Sequence, residues 1–72
     1  SENEYLKYIN YLKSAAELYE ASGDYYSADY CKEKLAEIPD MIDQTLAETH
    51  HLAWLIYDKP KLENIKDYCL NG

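Results

Sequence analysis

The strongest constraint on the fold is a helical hydrophobic period that is interrupted at only three places along the chain. The interruptions contain the helix-stopping residues Gly23, Pro39 and Pro60, each within two residues of an aspartate that suits a helix N-terminus. Two glycines and two prolines in 72 residues are too few for the turns of a β-sandwich or barrel. We therefore predict one all-α domain over residues 1–72, a small bundle of three to four helices at about 3–21, 25–38, 40–57 and 61–70.

Each predicted helix carries one apolar face that we expect to form the core. The face of the first helix is centred on Leu12, and the fourth helix is expected to cover Trp54 and Tyr57. The predicted core faces comprise Tyr5, Tyr8, Ile9, Leu12, Ala15, Ala16 and Tyr19 in the first helix, Tyr25, Ala28, Cys31, Leu35 and Ile38 in the second, Ile42, Leu46, Thr49, His50, Ala53, Ile56 and Tyr57 in the third, and Leu62, Ile65 and Cys69 in the fourth.

The charge of the chain restricts its partners. Seven lysines, no arginine and fourteen carboxylates give a net charge of −7. This charge disfavours direct binding to nucleic acid and to anionic membranes, and it favours another protein with a basic surface. The longest apolar run, residues 52–57, is far shorter than the roughly 20 residues of a membrane span. Since the first ten residues also lack a signal-peptide layout, we expect a cytoplasmic location.

Few residues suggest catalysis or metal binding. No serine has the Gly-x-Ser-x-Gly context, and no glycine-rich loop is present to bind phosphate. Cys31 and Cys69 are expected to be buried free thiols, with a disulfide or a metal site as the alternatives. Glu48 and His51 have the Glu-x-x-His spacing of metal-carboxylate bundles, and a dimer would bring two such pairs together. We expect no enzymatic activity and no cofactor.

Two of the nine tyrosines are predicted to form a partner-binding surface. Tyr26 and Tyr30 lie one helical turn apart, on the side away from the predicted core residues Ala28 and Leu35. Tyrosine is enriched at protein interfaces because its rigid ring supplies contact area at low entropic cost. The alternative is that both tyrosines only shield the backbone or pack on the amino-terminal segment. The full predicted surface consists of Tyr26, Asp29, Tyr30, Glu33 and Glu37.

These features support three hypotheses for the function. The first is a small acidic protein-binding module that modulates its partner without enzymatic activity. The second is an acidic nucleic-acid mimic that inhibits a DNA- or RNA-binding host enzyme, like small phage proteins directed against host defence. The third is a dimeric metal-carboxylate protein that uses Glu48 and His51. We also expect a homodimer, with Trp54, Leu55 and the Tyr26–Tyr30 pair as candidate contacts.

Residues 12–40 resemble one helical hairpin of the tetratricopeptide type. The order of large, small, aromatic and turn residues in that family is matched by Leu12, Ala16, Tyr19, Gly23, Tyr25, Ala28 and Pro39. The Gly-Asp-Tyr turn is also similar to that of small three-helix domains that bind helical peptides in vesicle-trafficking enzymes. The resemblance implies a packed helical hairpin and a peptide- or protein-binding function.

Overall fold

Three α-helices make up the part of the chain that the computed structural model describes, residues 2–49 and 55–71. They are α1 (Glu2–Ala21), α2 (Tyr25–Thr49) and α3 (Leu55–Asn71), and no strand occurs among these residues. The predicted all-α bundle is therefore confirmed. Side chains are described for residues 3–48 and 58–71, so the predicted positions of Trp54 and Tyr57 lie outside the described side chains.

The turn between α1 and α2 has the geometry that its sequence predicts. Gly23 has a φ of 82°, in the left-handed region that glycine adopts without steric cost. The backbone N–H of Gly23 donates to the carbonyl of Glu20, and that of Asp24 donates to the carbonyl of Tyr19, which together form a Schellman motif. Asp24 then caps α2, because its carboxylate accepts hydrogen bonds from the Ser27 hydroxyl at 2.7 Å and the Ser27 N–H at 3.1 Å. These bonds, the hydroxyl's first, lower the pKa of Asp24.

The predicted break at Pro39 is wrong, because α2 continues through this residue as a single helix. Proline has no N–H, so the carbonyl of Leu35, four residues earlier, loses its usual helical partner. The thiol of Cys69 on α3 donates to this carbonyl instead, over 3.2 Å. Pro39 is itself buried. Packing against its neighbours and the substitute hydrogen bond together allow α2 to accommodate the proline.

The expected start of the last helix is also wrong. We predicted a helix over residues 61–70, but α3 begins at Leu55 and contains Pro60 near its N-terminal end. The missing N–H of Pro60 would have reached the carbonyl of residue 56, so the proline removes only one bond close to the end of the helix. Of the predicted helix over 40–57, residues 40–49 belong to α2 and residues 55–57 to α3, while residues 50–54 lie outside the described residues.

The core lies where the three helices meet. Its buried side chains come from the centres of the predicted faces, and Ile9 of α1 is completely inaccessible to solvent. Ile65 is the most deeply buried residue among the described side chains of α3, residues 58–71, and Tyr68 and Cys69 pack beside it. The buried apolar residues are Ile9, Leu12, Ala16, Ala28, Cys31, Ile38, Ile42 and Ile65.

Polar contacts fix α3 on one flank of the α1–α2 pair. The ammonium group of Lys13 donates to the carbonyl of Tyr68 at 3.0 Å and lies 4.9 Å from the centre of the Tyr68 ring. The Tyr68 hydroxyl donates to the side-chain oxygen of Asn10. Lys66 forms an ion pair with Asp43 of α2, over 2.6 Å. All of these contacts lie on one side of the boundary between α1 and α2.

Four tyrosines predicted to be part of the core are exposed, which corrects the sequence-based assignment. These residues are Tyr5, Tyr8, Tyr19 and Tyr25. Tyr5 and Tyr8 border an open depression between the three helices, and Tyr19 borders one between α1 and α2. Tyr25 is the first residue of α2 and is 65% exposed. The apolar stripe of the sequence is therefore wider than the surface that three helices bury.

The burial pattern predicts different effects for two similar substitutions in α1. Ile9→Ala should reduce the free energy of unfolding by about 2–5 kcal/mol, since it removes a fully buried side chain and leaves a cavity. Leu18→Ala, at a residue that is 71% exposed, should change it by about 0.5 kcal/mol or less. Urea unfolding followed by circular dichroism measures both values. Equal losses would contradict this packing, and Ile9→Val, with an expected loss of about 1 kcal/mol, provides a milder test.

The environment of Cys69 predicts the pH dependence of its alkylation. Burial raises the pKa of the thiol, and the nearby Lys13 ammonium offsets only part of this effect. The thiol proton therefore stabilises the fold below the pKa of the unfolded thiol, and this contribution is lost as the pH rises through the folded pKa. We expect the midpoint for iodoacetamide alkylation of Cys69 to lie at higher pH in the folded chain than in urea, as followed by mass spectrometry. A lower midpoint in the folded chain would contradict the burial of the Cys69 thiol.

Candidate functional site

A depression between α1 and α2 is the candidate functional site, and we call it the aromatic groove. It has a volume of about 310 Å³ and is lined by residues of α1 and α2 alone. Ala15 is the central lining residue on α1. It lies about 160° around the helix axis from Lys13, which contacts α3. The groove therefore opens on the side away from α3. Its lining residues are Tyr11, Leu12, Ala15, Tyr19, Tyr26, Ser27, Tyr30 and Cys31.

Two rows of side chains at four-residue spacing form the walls of the aromatic groove. Tyr11, Ala15 and Tyr19 are stacked along α1, and Tyr26 and Tyr30 are stacked along α2. Because the tight turn at Gly23 makes the two helices antiparallel neighbours, the two rows face each other across the groove. The small side chain of Ala15 between two tyrosines leaves the space that the groove occupies.

The structure places Tyr26 and Tyr30 on an exposed surface, as the helical pattern predicts. Tyr26 is 86% exposed, and Tyr30 is exposed as well. The carboxylates of Asp29, Glu33 and Glu37 are also on the surface. The groove joins the two predicted tyrosines to Tyr11 and Tyr19 of α1 and does not include the three carboxylates.

Sequence reasoning missed the α1 half of the aromatic groove. Tyr19 is among the predicted core residues of the first helix, and Tyr11 is not among the predicted partner-binding residues. Both are exposed, Tyr11 more strongly than Tyr19. The Tyr-x-x-x-Ala-x-x-x-Tyr spacing of residues 11–19 is a signal that could have indicated a row of aromatic side chains with a gap at its centre.

Charged side chains adjoin the aromatic groove on α2. The Lys34 ammonium lies 5.3 Å from the centre of the Tyr30 ring and 3.5 Å from the Glu37 carboxylate. Lys32 does not line the groove and forms an ion pair with Glu20 of α1 at 2.7 Å, and the hydrogen bond and charge of Glu20 raise the pKa of Lys32. Glu33 has no salt bridge within the described part of the chain. The lysine beside Tyr30 is therefore paired, while Glu33 contributes negative charge that no lysine balances.

A second depression, the three-helix cleft, is lined by residues of α1, α2 and α3. Its volume is about 270 Å³, and Ile38, Ile42 and Ile65 provide an apolar floor. Glu37 lines this cleft rather than the aromatic groove, and Lys34 stands between the two depressions. The lining residues are Tyr5, Tyr8, Lys34, Glu37, Ile38, Met41, Ile42, Thr45, Leu62 and Ile65.

The described residues offer little support for a metal centre. Glu48 is exposed, and its carboxylate accepts a hydrogen bond from the Gln44 side chain at 3.0 Å. Its predicted partner His51 lies outside the described residues. Within the described residues, no group of three or more histidine, cysteine, aspartate or glutamate side chains is arranged to hold a metal ion. Cys31 and Cys69 are both free thiols.

Comparison with known proteins does not place the chain in a family. No family model, curated protein or solved structure matches it. The resemblance of residues 12–40 to a tetratricopeptide hairpin therefore stays a prediction. None of the described helices combines the length and the apolar character needed to cross a lipid bilayer.

Proposed function

We propose that the chain is a non-enzymatic protein-binding module and that the aromatic groove is its binding site. The observation that carries the proposal is the arrangement of four exposed tyrosines, Tyr11, Tyr19, Tyr26 and Tyr30, from two helices around one depression. Exposed aromatic surface of this kind typically marks an interaction site on a soluble domain. Tyrosine is also among the residues that contribute most to the free energy of binding at interfaces.

The charge of the chain supports a partner with a basic surface. The net charge is −7, and Asp29 and Glu33 lie on the exposed side of α2 next to the tyrosines. Complementary charge accelerates encounter between two proteins and selects against acidic surfaces. The same charge disfavours association of two copies, so the homodimer stays a separate prediction. The proposal includes a cytoplasmic location, where Cys31 and Cys69 would stay reduced.

Substitution of both tyrosines of α2 tests the proposal. The double variant Tyr26→Ala, Tyr30→Ala should weaken partner binding by about 30-fold or more, because both rings would be buried at the interface. It should keep the fold, since both residues are exposed. Affinity capture from the source organism with quantitative mass spectrometry identifies the partner, and titration with the purified partner gives the affinities.

Tyr25→Ala is the matched control, because the exposure of Tyr25 lies between those of Tyr26 and Tyr30 but Tyr25 does not line the aromatic groove. Its affinity for the partner should equal that of the unchanged chain. A double variant that captures the same partner with unchanged affinity would refute the proposed site. Higher salt should weaken binding, since exposed charges are screened.

A nucleic-acid mimic is the second candidate function. It is favoured by the exposure of Asp29, Glu33, Glu37 and Asp40 along one flank of α2. If the captured partner is a DNA- or RNA-binding enzyme, nucleic acid should compete with the chain for it. If nucleic acid does not reduce binding of the chain to this partner, the nucleic-acid mimic is rejected and the protein-binding module is retained.

A further inference from the structure

We propose that the aromatic groove binds a proline-rich segment in the polyproline II conformation, flanked by an arginine or a lysine. This inference rests on the proposed function and specifies the chemistry of the partner. It depends on three properties of the groove: the type of its wall residues, the state of their hydroxyl groups, and the charge beside them.

The walls of the groove consist of aromatic rings rather than branched aliphatic side chains. Tyr11 and Tyr19 stand on one side, Tyr26 and Tyr30 stand on the other, and Ala15 leaves a gap between the α1 pair. Grooves lined with aromatic rings are typical receptors for polyproline II segments, because a flat ring packs well against the pyrrolidine ring. The gap over Ala15 is suited to receive one proline.

The tyrosine hydroxyls distinguish this ligand from a docked helix. No hydrogen bond within the described residues engages the hydroxyls of Tyr11, Tyr19 or Tyr26, so each is available as a donor. A polyproline II segment has no internal hydrogen bonds, and its backbone carbonyls are free to accept from such donors. The carbonyls of an α-helix, apart from those of its last turn, are already bonded within the helix. The hydroxyls therefore favour an extended ligand over an amphipathic helix.

The length of the groove fits a short proline-rich segment. Tyr11 and Tyr19 are eight residues apart on α1, which corresponds to about 12 Å along the helix axis. A polyproline II helix rises about 3.1 Å per residue, so the groove spans about four residues. Prolines at the first and fourth positions of a Pro-x-x-Pro sequence lie on the same side of such a helix and would both face the rings.

The Glu33 carboxylate beside the groove indicates a basic residue next to the prolines. Glu33 follows Tyr30 by three residues, so its carboxylate adjoins a groove tyrosine on the surface of α2. The Glu33 side chain is exposed. An arginine or lysine that flanks the prolines would pair with this carboxylate.

Binding of three synthetic peptides to the full chain, measured by fluorescence anisotropy, tests the inference. The first peptide has two Pro-x-x-Pro repeats and a terminal arginine in about ten residues, and the second has alanine in place of every proline. The third is an amphipathic helix of equal net charge, about 15 residues long, with leucine on its apolar face. We expect the proline peptide to bind at least about tenfold more tightly than either of the others.

Single hydroxyl deletions test the hydrogen bonds of the complex. Tyr26→Phe keeps the ring and removes the hydroxyl donor, and it should lower the affinity for the proline peptide by about fivefold. Tyr26→Ala should lower this affinity by about tenfold or more, since the ring contact is also lost. Tyr25→Phe is the control and should have no effect, because Tyr25 does not line the groove.

The outcomes separate this inference from the proposed function. The absence of binding by the proline peptide at about 1 mM, or tighter binding by the helical peptide, would overturn the polyproline ligand. The protein-binding function would still stand if the Tyr26→Ala, Tyr30→Ala variant lost its captured partner. If the proline peptide binds and Tyr26→Phe leaves its affinity unchanged, the hydroxyl-donor argument fails and the inference is overturned.

Discussion

The position of α3 on the α1–α2 pair determines the rest of the structure. Two packed helices have two open flanks, and the described part of the chain contains one further helix to cover them. Lys13 and Asn10 of α1 attach α3 to one flank, through Tyr68. Among the described residues no helix covers the opposite flank, which retains its apolar side chains. The aromatic groove on that flank, and the exposure of the tyrosines that line it, follow from this asymmetry.

The use of tyrosine on the open flank has a physical reason. A flank that is solvated in the free chain and buried in a complex needs side chains that tolerate both environments. Tyrosine satisfies this need, because its ring contributes apolar contact area while its hydroxyl remains hydrated or donates to a ligand. The chain contains nine tyrosines and no phenylalanine, and seven of the eight tyrosines whose side chains the structure describes are exposed. The acidic surface around them favours solubility and a basic partner.

Local signals in the sequence predicted the helical class, the turn at Gly23 and the centres of the buried faces. These features depend on the spacing of apolar residues along each helix and on the residues that cap the helix ends. Two kinds of prediction failed because they depend on contacts between distant residues. Pro39 stays inside α2, where Cys69 of α3 donates to the carbonyl that the proline leaves free. Tyr5, Tyr8 and Tyr19 have core-like spacing, but spacing does not reveal which side of α1 the third helix will cover. The exposure of Tyr26 and Tyr30 was predictable, whereas their grouping with Tyr11 and Tyr19 required the packing of α1 against α2.

The claim that one flank of the α1–α2 pair stays open is tested most directly by the solvent accessibility of the tyrosine rings. Proton relaxation of each ring can be measured by NMR in the presence of a soluble gadolinium chelate. The account predicts strong enhancement for Tyr11, Tyr26 and Tyr30, and clearly weaker enhancement for Tyr68, which packs in the bundle. Rings of Tyr26 and Tyr30 that are protected as well as that of Tyr68 would contradict the account.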